Sequence, residues 1–266
     1  MRWNHDIGGE GSAGILTTAT GLTFSGDTST NVFALRTSDG TTLYLVLCLA
    51  TGDDVREQLF AVDTATGRVL AHHDLGEDVA AASSVPIGRQ LAGLIARPAG
   101  GATLVFDASP TDVPEMRIPT LLSYDARLAP VGAPVRATSL SEGAETQSVA
   151  GMADGTVFLL VTVRDGAWIL AVPDGGGAGP LLAQMTDRVF GYALAVEQAQ
   201  VWAVIPAATG AEAVDLTTGD QRGPLTVGCE PRLDVRNLYP APGGALMIGE
   251  CDTPREDTQM MWFLGP

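Results

Sequence analysis

The side chains that most often carry acid–base or metal chemistry are few in this sequence. Its three histidines are His5, His72 and His73. His72 and His73 lie on a predicted strand, where neighbouring side chains point to opposite faces, so the pair does not place two metal ligands on one face. We interpret all three histidines as structural or solvent-exposed, and we predict no catalytic residue in this chain.

Serine and glycine motifs also lack the surroundings that catalysis or phosphate binding requires. The segment around Ser25 lacks the first glycine of the Gly-x-Ser-x-Gly turn of hydrolases. Residues 175–179 are glycine-rich but follow no strand–helix pattern, which argues against a phosphate cradle. We therefore expect no cofactor.

Several oxygen-bearing side chains are compatible with a calcium site. Asp53 with Asp54, and Glu256 with Asp257, lie in predicted loops without the spacing of a calcium-binding loop, so we interpret both pairs as solvated turns. Asn237 lies near Asp234 and Glu230, and contributes one possible ligand. Calcium is therefore possible, and the identity of any metal ligand is unknown from sequence.

The charge balance excludes two classes of partner. The chain has 31 acidic residues against 15 basic ones, a net charge of −16, and all the basic residues are scattered arginines. Such a field repels nucleic acid and anionic membranes. No run of about 18 apolar residues is present, so we predict no transmembrane segment.

The three cysteines bear on the cellular compartment. Cys48 lies in an apolar run and is interpreted as a small buried residue. Cys229 and Cys251 flank a stretch rich in proline and glycine, and a disulfide between them would require an oxidising compartment. We predict a periplasmic or secreted protein, although no signal peptide begins this chain. A cytoplasmic protein is the alternative.

The elements that must position these side chains are repeated β-strands. A phrase recurs in which an apolar strand ends in Ala-x-Asp, or a close variant, before a Thr/Gly turn. In the turn, the Asp carboxylate accepts hydrogen bonds from backbone N–H groups, and Gly adopts the positive φ that the turn requires. Each copy follows another predicted strand. The copies span residues 33–40, 60–67, 123–127 (weaker), 170–175 and 212–219, and a further copy would begin at 261–264.

This repetition predicts a single all-β domain over residues 1–266, a β-propeller of about six four-stranded blades. The mean spacing of about 45 residues is typical of such blades, and five or seven blades are alternatives. Because open edges are unfavourable, we expect the termini to pair within one blade, through residues 3–18 and 259–264. A β-sandwich is the rival fold.

Two copies of the phrase carry a family resemblance. Residues 14–43 and 59–70, the latter containing Phe-Ala-Val-Asp-Thr-Ala-Thr-Gly, resemble the repeat of pyrroloquinoline-quinone (quinoprotein) β-propellers. The tryptophan typical of that repeat is missing. The enzymes of that family have a vicinal Cys-Cys pair, which this chain lacks, so the resemblance implies a propeller fold and a non-catalytic relative.

Three functional readings follow. We expect a non-catalytic, monomeric propeller that binds a protein, peptide or glycan through its top face or channel. The alternative is a calcium-dependent six-bladed hydrolase of the lactonase or phosphotriesterase type. A third reading is a truncated quinoprotein relative without its cofactor site.

Overall fold

The structure is a computed structural model. It describes the backbone of residues 16–17, 23–24, 32–36, 41–51, 54–85, 91–110, 116–137, 144–152, 154–163, 166–174, 181–185, 193–197, 200–207, 210–215, 221–225, 232–241, 244–252 and 257–264. Side chains are described for residues 41–47, 56–85, 91–110, 116–137, 144–152, 154–163 and 168–174.

The described part of the chain contains one short helix and is otherwise made of β-strands. The helix is α1 (Gly76–Ala80). It follows β6 and precedes β7. The strands are β1 (Leu16–Thr17), β2 (Thr23–Phe24), β3 (Val32–Arg36), β4 (Thr42–Thr51), β5 (Asp54–Asp63), β6 (Val69–Asp74), β7 (Leu91–Ala96), β8 (Ala102–Ala108), β9 (Ile118–Tyr124), β10 (Val135–Arg136), β11 (Glu145–Gly151), β12 (Val157–Val163), β13 (Gly166–Val172), β14 (Leu181–Met185), β15 (Ala193–Glu197), β16 (Gln200–Ala207), β17 (Gly210–Asp215), β18 (Gln221–Leu225), β19 (Arg232–Ala241), β20 (Gly244–Asp252) and β21 (Asp257–Leu264).

The strands form antiparallel sheets that follow chain order. The first sheet is β3–β6, the second β7–β10, the third β11–β14 and the fourth β15–β18, and each has four strands. The fifth sheet, β19–β21, has three described strands, and β1 pairs with β2 in a separate hairpin. The predicted all-β class and its four-stranded unit are confirmed.

Successive sheets meet at their first strands. β3 contacts β7, β7 contacts β11, β11 contacts β15, and β15 contacts β19. Each sheet therefore contacts the next one along the chain through its first strand.

Two apolar cores fill the spaces between the first three sheets. One, between the first and second sheets, includes Leu59, Leu104 and Phe106. The other, between the second and third sheets, includes Val105 and Leu159. Every residue of β8 is buried, because its alternate side chains enter the two cores. One face of β8 is wholly apolar, whereas the other carries Val105 together with Thr103 and Asp107, whose polar side chains are buried with hydrogen-bond partners.

Glycines allow the second and third sheets to approach closely at their first strands. A Cβ added to Gly93 of β7 would overlap Val149 of β11, and one added to Gly151 of β11 would overlap Ile95 of β7. Each strand thus presents a glycine to a branched side chain of the other. This reciprocal packing fixes the distance between β7 and β11.

The turn chemistry predicted for the repeated phrase is confirmed at 60–67. Asp63 Oδ1 accepts hydrogen bonds from the backbone N–H groups of Thr66 (2.7 Å) and Ala65 (3.1 Å), and from the Thr66 hydroxyl (2.7 Å). Gly67 has a φ of +70°. The Thr66 bonds hold the pKa of Asp63 below its usual value.

The repeated phrases do not correspond to the sheets one to one. The copies at 60–67, 123–127, 170–175 and 212–219 lie at the ends of third strands, but the copy at 33–40 begins on β3, the first strand of the same sheet as 60–67. Within the described residues, β21 pairs only with β20. The number of blades and the closure through the termini therefore stay predictions.

Candidate ligand pocket

A cavity of about 150 Å³ lies between the second and third sheets. It is partly open to solvent and sits beside the turn from β7 to β8 and the connection from β9 to β10. One wall comes from β8, β9 and β10, and the other from β12 and the end of β13. Its lining residues are Arg97, Thr103, Leu121, Ser123, Val131, Gly132, Ala133, Val135, Gly155, Val157, Val172, Pro173 and Asp174.

Arg97 supplies the positive charge of the pocket. Its side chain is only 13% exposed, and its Nη2 donates to Asp174 Oδ1 at 2.9 Å. Nη1 donates a longer bond, of 3.4 Å, to the Tyr124 carbonyl oxygen. The buried Nε–H has no hydrogen-bond partner among the described residues. A guanidinium group has five N–H donors, so Arg97 retains unused donor capacity.

Two hydroxyl groups face each other across neighbouring strands of the same wall. Thr103 of β8 is paired in register with Ser123 of β9, and their hydroxyl oxygens are 3.0 Å apart. The rest of the pocket is mainly aliphatic, with Leu121 and Val157 among its lining. A ligand in this space would meet one cation, a hydroxyl pair and a branched apolar surface.

Asp174 comes from the third sheet and closes the cation side of the pocket. It follows β13 at the end of a repeated phrase, and its side chain is 40% exposed. Gly155, at a φ of +90°, makes room for it, because an added Cβ would lie 2.7 Å from the Asp174 Cβ. The Arg97–Asp174 pair therefore joins two sheets at the rim of the cavity.

A second polar cluster ties the first sheet to the second. Asp78 Oδ2 lies 2.7 Å from His73 Nε2, and it accepts a hydrogen bond of 2.8 Å from the Tyr124 hydroxyl. The His73 and Tyr124 rings are 5.1 Å apart. Burial, and then the hydrogen bond to Asp78, raise the pKa of Tyr124. The phenol therefore stays protonated and acts as a donor between the sheets.

A third polar group ties the second sheet to the third. The buried Asp107 of β8 accepts hydrogen bonds from the Thr146 backbone N–H (2.9 Å to Oδ2) and hydroxyl (2.6 Å to Oδ1). Burial raises the pKa of Asp107 above its usual value, and the bonds from Thr146 oppose that rise. This carboxyl group is enclosed by the protein.

The structure describes two of the three histidines, His72 and His73. His72 is exposed, and its ring stacks on Phe60 with centroids 6.1 Å apart. His73 makes the separate contacts with Asp78 and Tyr124 given above. His5 lies outside the described residues, as do Ser25 and the glycine-rich segment 175–179.

The structure describes only some of the residues predicted as possible metal ligands or as the disulfide pair. Asp53, Glu230, Glu256 and Cys229 lie outside the described residues, and for Asp54, Asp234, Asn237, Cys251 and Asp257 only the backbone is described. Over the described residues, no three His, Cys, Asp or Glu side chains form a group that could hold a metal ion. The possible calcium site and the Cys229–Cys251 disulfide stay predictions.

No local sequence pattern marks Arg97, Asp78 or Tyr124 as residues with partners in another sheet. Asp174 belongs to a repeated phrase, which marked it as a turn residue. Arg97 lies 77 positions away along the chain, so local sequence holds no sign of their pairing. Only the stacking of the second sheet on the third brings them together.

Comparison with known proteins identifies the fold. No family model matches the chain, and no curated protein matches it. Among solved structures, the chain is similar to a glucose dehydrogenase, with 12% identity and a TM-score of 0.55, over 97% of this chain and 83% of the other. It is also similar to the polysaccharide lyase Uly1, with 12% identity and a TM-score of 0.52, over 88% of this chain and 57% of the other.

A third similar structure is described as the β-propeller domain of Cps50 (Swd1) from Myceliophteria thermophila. It has 13% identity and a TM-score of 0.46, over 88% of this chain and 84% of the other. The likeness to the glucose dehydrogenase supports a β-propeller fold for this chain. The quinoprotein resemblance stays a prediction. These structures include enzymes and a propeller domain, and at such low identity they concern the fold alone.

No helix in the described part of the chain is long and apolar enough to cross a membrane.

Proposed function

We propose that this chain is a β-propeller binding protein that recognises a peptide or protein partner and does not turn over a substrate. The observation that carries the proposal is the pocket between the second and third sheets, with Arg97 at its rim. Cavities lined mainly by apolar side chains, with a few convergent polar groups, are the usual form of a ligand site.

The chemistry of the pocket favours recognition. Among its lining residues, the only carboxylate, Asp174, is paired with Arg97, and the hydroxyls of Thr103 and Ser123 contact each other. General-base activation of a hydroxyl requires a base within hydrogen-bond reach, and these contacts do not provide one. The groups can hold and orient a ligand through hydrogen bonds and apolar contact.

The position of this pocket refines the sequence expectation. The repeat pattern led us to expect recognition through a top face or channel, whereas the pocket lies between two sheets. A partner segment that enters it would also meet the exposed Val131 at its margin. We therefore propose that a short segment of the partner occupies the pocket. The monomeric state and a periplasmic or secreted location remain part of this proposal.

The calcium-dependent hydrolase remains the competing function, and two of the similar structures are described as enzymes. Its proposed oxygen ligands Asp234 and Asn237 lie on β19, the first strand of the fifth sheet. Calcium titration followed by thermal unfolding would reveal such a site. A rise in melting temperature that Asp234→Asn abolishes would favour the hydrolase over the binding protein.

Methyl-labelled NMR with a mixture of short peptides tests the proposal. We expect peptide-dependent shifts in the methyl groups of Val131, Val135, Val157 and Val172, and no cleavage of the peptides by mass spectrometry. Shifts confined to Val69 and Leu70, which are exposed on β6 away from the pocket, would place binding elsewhere. Peptide cleavage that a pocket substitution abolishes would show an enzyme.

A further inference from the structure

The donors of Arg97 identify the chemical group that the pocket would take. Two of its nitrogens make the bonds to Asp174 and Tyr124, and the latter is long at 3.4 Å. Its Nε–H is fully enclosed within the described residues, so a ligand in the pocket would reach the guanidinium group through its Nη atoms. A buried guanidinium group is most stable when oxygen atoms satisfy its donors, and a planar carboxylate matches its geometry.

We propose that the pocket binds the terminal carboxylate of a peptide whose last residue has a branched aliphatic side chain. This inference rests on the proposed binding function and names its ligand. The carboxylate would accept hydrogen bonds from the Arg97 guanidinium group. The aliphatic side chain would lie against Val157 and Val172, which line the opposite wall.

The lining distinguishes a peptide end from an acidic sugar, the other common source of a carboxylate. A sugar ring presents many hydroxyl groups, and it needs a matching set of polar partners and often an aromatic platform. Here the polar lining consists of Arg97, Asp174 and the Thr103–Ser123 pair, and no aromatic residue is among the lining residues. The cavity of about 150 Å³ is of the size that accommodates a small apolar group.

Asp174 acts as a competitor in this arrangement. Its carboxylate accepts a hydrogen bond from Arg97 Nη2 at 2.9 Å. A ligand carboxylate carries the same charge, so it must share or displace Asp174 to reach the guanidinium group. Because the Asp174 side chain is 40% exposed, water can solvate it once it leaves Arg97.

The two partners of the ion pair therefore have opposite expected effects on binding. Isothermal titration would use N-acetylleucine as the ligand and N-acetylleucinamide as its uncharged match. We expect Arg97→Gln to weaken N-acetylleucine binding at least about tenfold, since a hydrogen bond between charged groups is lost. Asp174→Asn should strengthen binding several-fold, because Asn can still accept from Nη2 but no longer repels the ligand.

The control is Arg136→Gln, which removes an exposed arginine of β10 that does not line the pocket. Arg136→Gln should leave the affinity for N-acetylleucine unchanged. An unchanged affinity would exclude an effect of the change in net charge alone. Thermal unfolding of each variant checks that it folds. A purely structural ion pair would give weaker binding in both Arg97→Gln and Asp174→Asn, and that result would overturn the proposal.

Three further outcomes separate the possible failures. Equal binding of N-acetylleucinamide would overturn the carboxylate assignment while the pocket remained a binding site. Binding of glucuronate without binding of N-acetylleucine would overturn the peptide source and indicate an acidic sugar. If neither compound, nor any peptide of the mixture used above, shifts the valine methyl groups of the pocket, the proposed function itself fails.

Discussion

At the scale of single residues, the buried polar groups of this protein join sheets to one another. Asp107 is 5% exposed, and the hydrogen bonds from Thr146 compensate only part of its loss of hydration. The carboxylate form is therefore the costly one, which is why the pKa of Asp107 is raised. This assigns the direction in which pH changes its contribution to stability.

The protonated Asp107 carboxyl group stabilises the folded state. This stabilisation is fully present below the usual carboxyl pKa of about 3.9, and it is lost as pH rises through the raised pKa of the folded state. We therefore compare the free energy of unfolding of Asp107→Asn with that of the natural chain at two pH values. We predict that this difference favours the variant more at neutral pH than at pH about 4. Urea unfolding at the two pH values measures this difference. A free-energy difference that does not change with pH would contradict the prediction.

Asp63→Asn is the matched control, because the pKa of Asp63 is lowered instead of raised. The stabilisation by its ionised carboxylate is present above the usual pKa, and it is lost as pH falls through the lowered one. Asp63→Asn should therefore destabilise the protein at neutral pH, and the effect should shrink in acid. The two variants should thus change with pH in opposite directions.

Two buried tyrosines provide a second residue-scale prediction. The Tyr44 hydroxyl accepts a hydrogen bond of 2.7 Å from the backbone N–H of Gly101, whereas the Tyr124 hydroxyl donates to Asp78. Tyr44→Phe leaves a buried N–H without its acceptor, at a cost of about 1–3 kcal/mol. Tyr124→Phe leaves Asp78 with His73 and partial solvent access, so its cost should be nearer to about 1 kcal/mol.

Chemical denaturation of both variants measures the order of these costs. A larger loss for Tyr124→Phe than for Tyr44→Phe would contradict the assigned donor and acceptor roles.

At the scale of elements, most of the strands could be predicted from sequence. The strand predicted to precede each of the copies at 60–67, 123–127, 170–175 and 212–219 is the second strand of its sheet, namely β4, β8, β12 and β16. The phrase ending in Asp63 was informative because its turn is held by bonds within a few residues. The copy at 33–40 lies on the first strand of the sheet whose third strand carries the copy at 60–67, so the phrase alone does not distinguish strand positions within a sheet.

The close approach of β7 and β11 gives the element-scale prediction. Gly93→Ala would place a Cβ against Val149 and should cost about 1–3 kcal/mol through overpacking. Val149→Ala in the same chain should recover much of this loss, since it removes the methyl groups that overlap. A double-mutant cycle measures this coupling by urea unfolding.

Gly132→Ala is the control for that cycle. Gly132 has a φ of +77° and open space around its Cα, so alanine there costs about 1–2 kcal/mol through backbone strain alone. Val149→Ala should not rescue Gly132→Ala. Equal rescue of both glycine variants would contradict the close-packing account of β7 and β11.

At the scale of the whole molecule, the pocket depends on how sheets stack, and this limited what sequence could show. Its walls come from two sheets, and its ion pair joins Arg97 to Asp174 from different sheets. A scattered arginine carries no local signal of such a role. The repeated phrases predicted the sheets, but the contacts between sheets are set by side chains such as Val149 and Ile95 at glycine positions.

The most direct test of the account is a crystal structure of the protein soaked with N-acetylleucine. We predict its carboxylate within hydrogen-bond distance of the Arg97 guanidinium group, its side chain against Val157 and Val172, and Asp174 turned away from Arg97. An unchanged Arg97–Asp174 pair, with the compound absent from the pocket at a concentration that saturates the titration, would contradict the account.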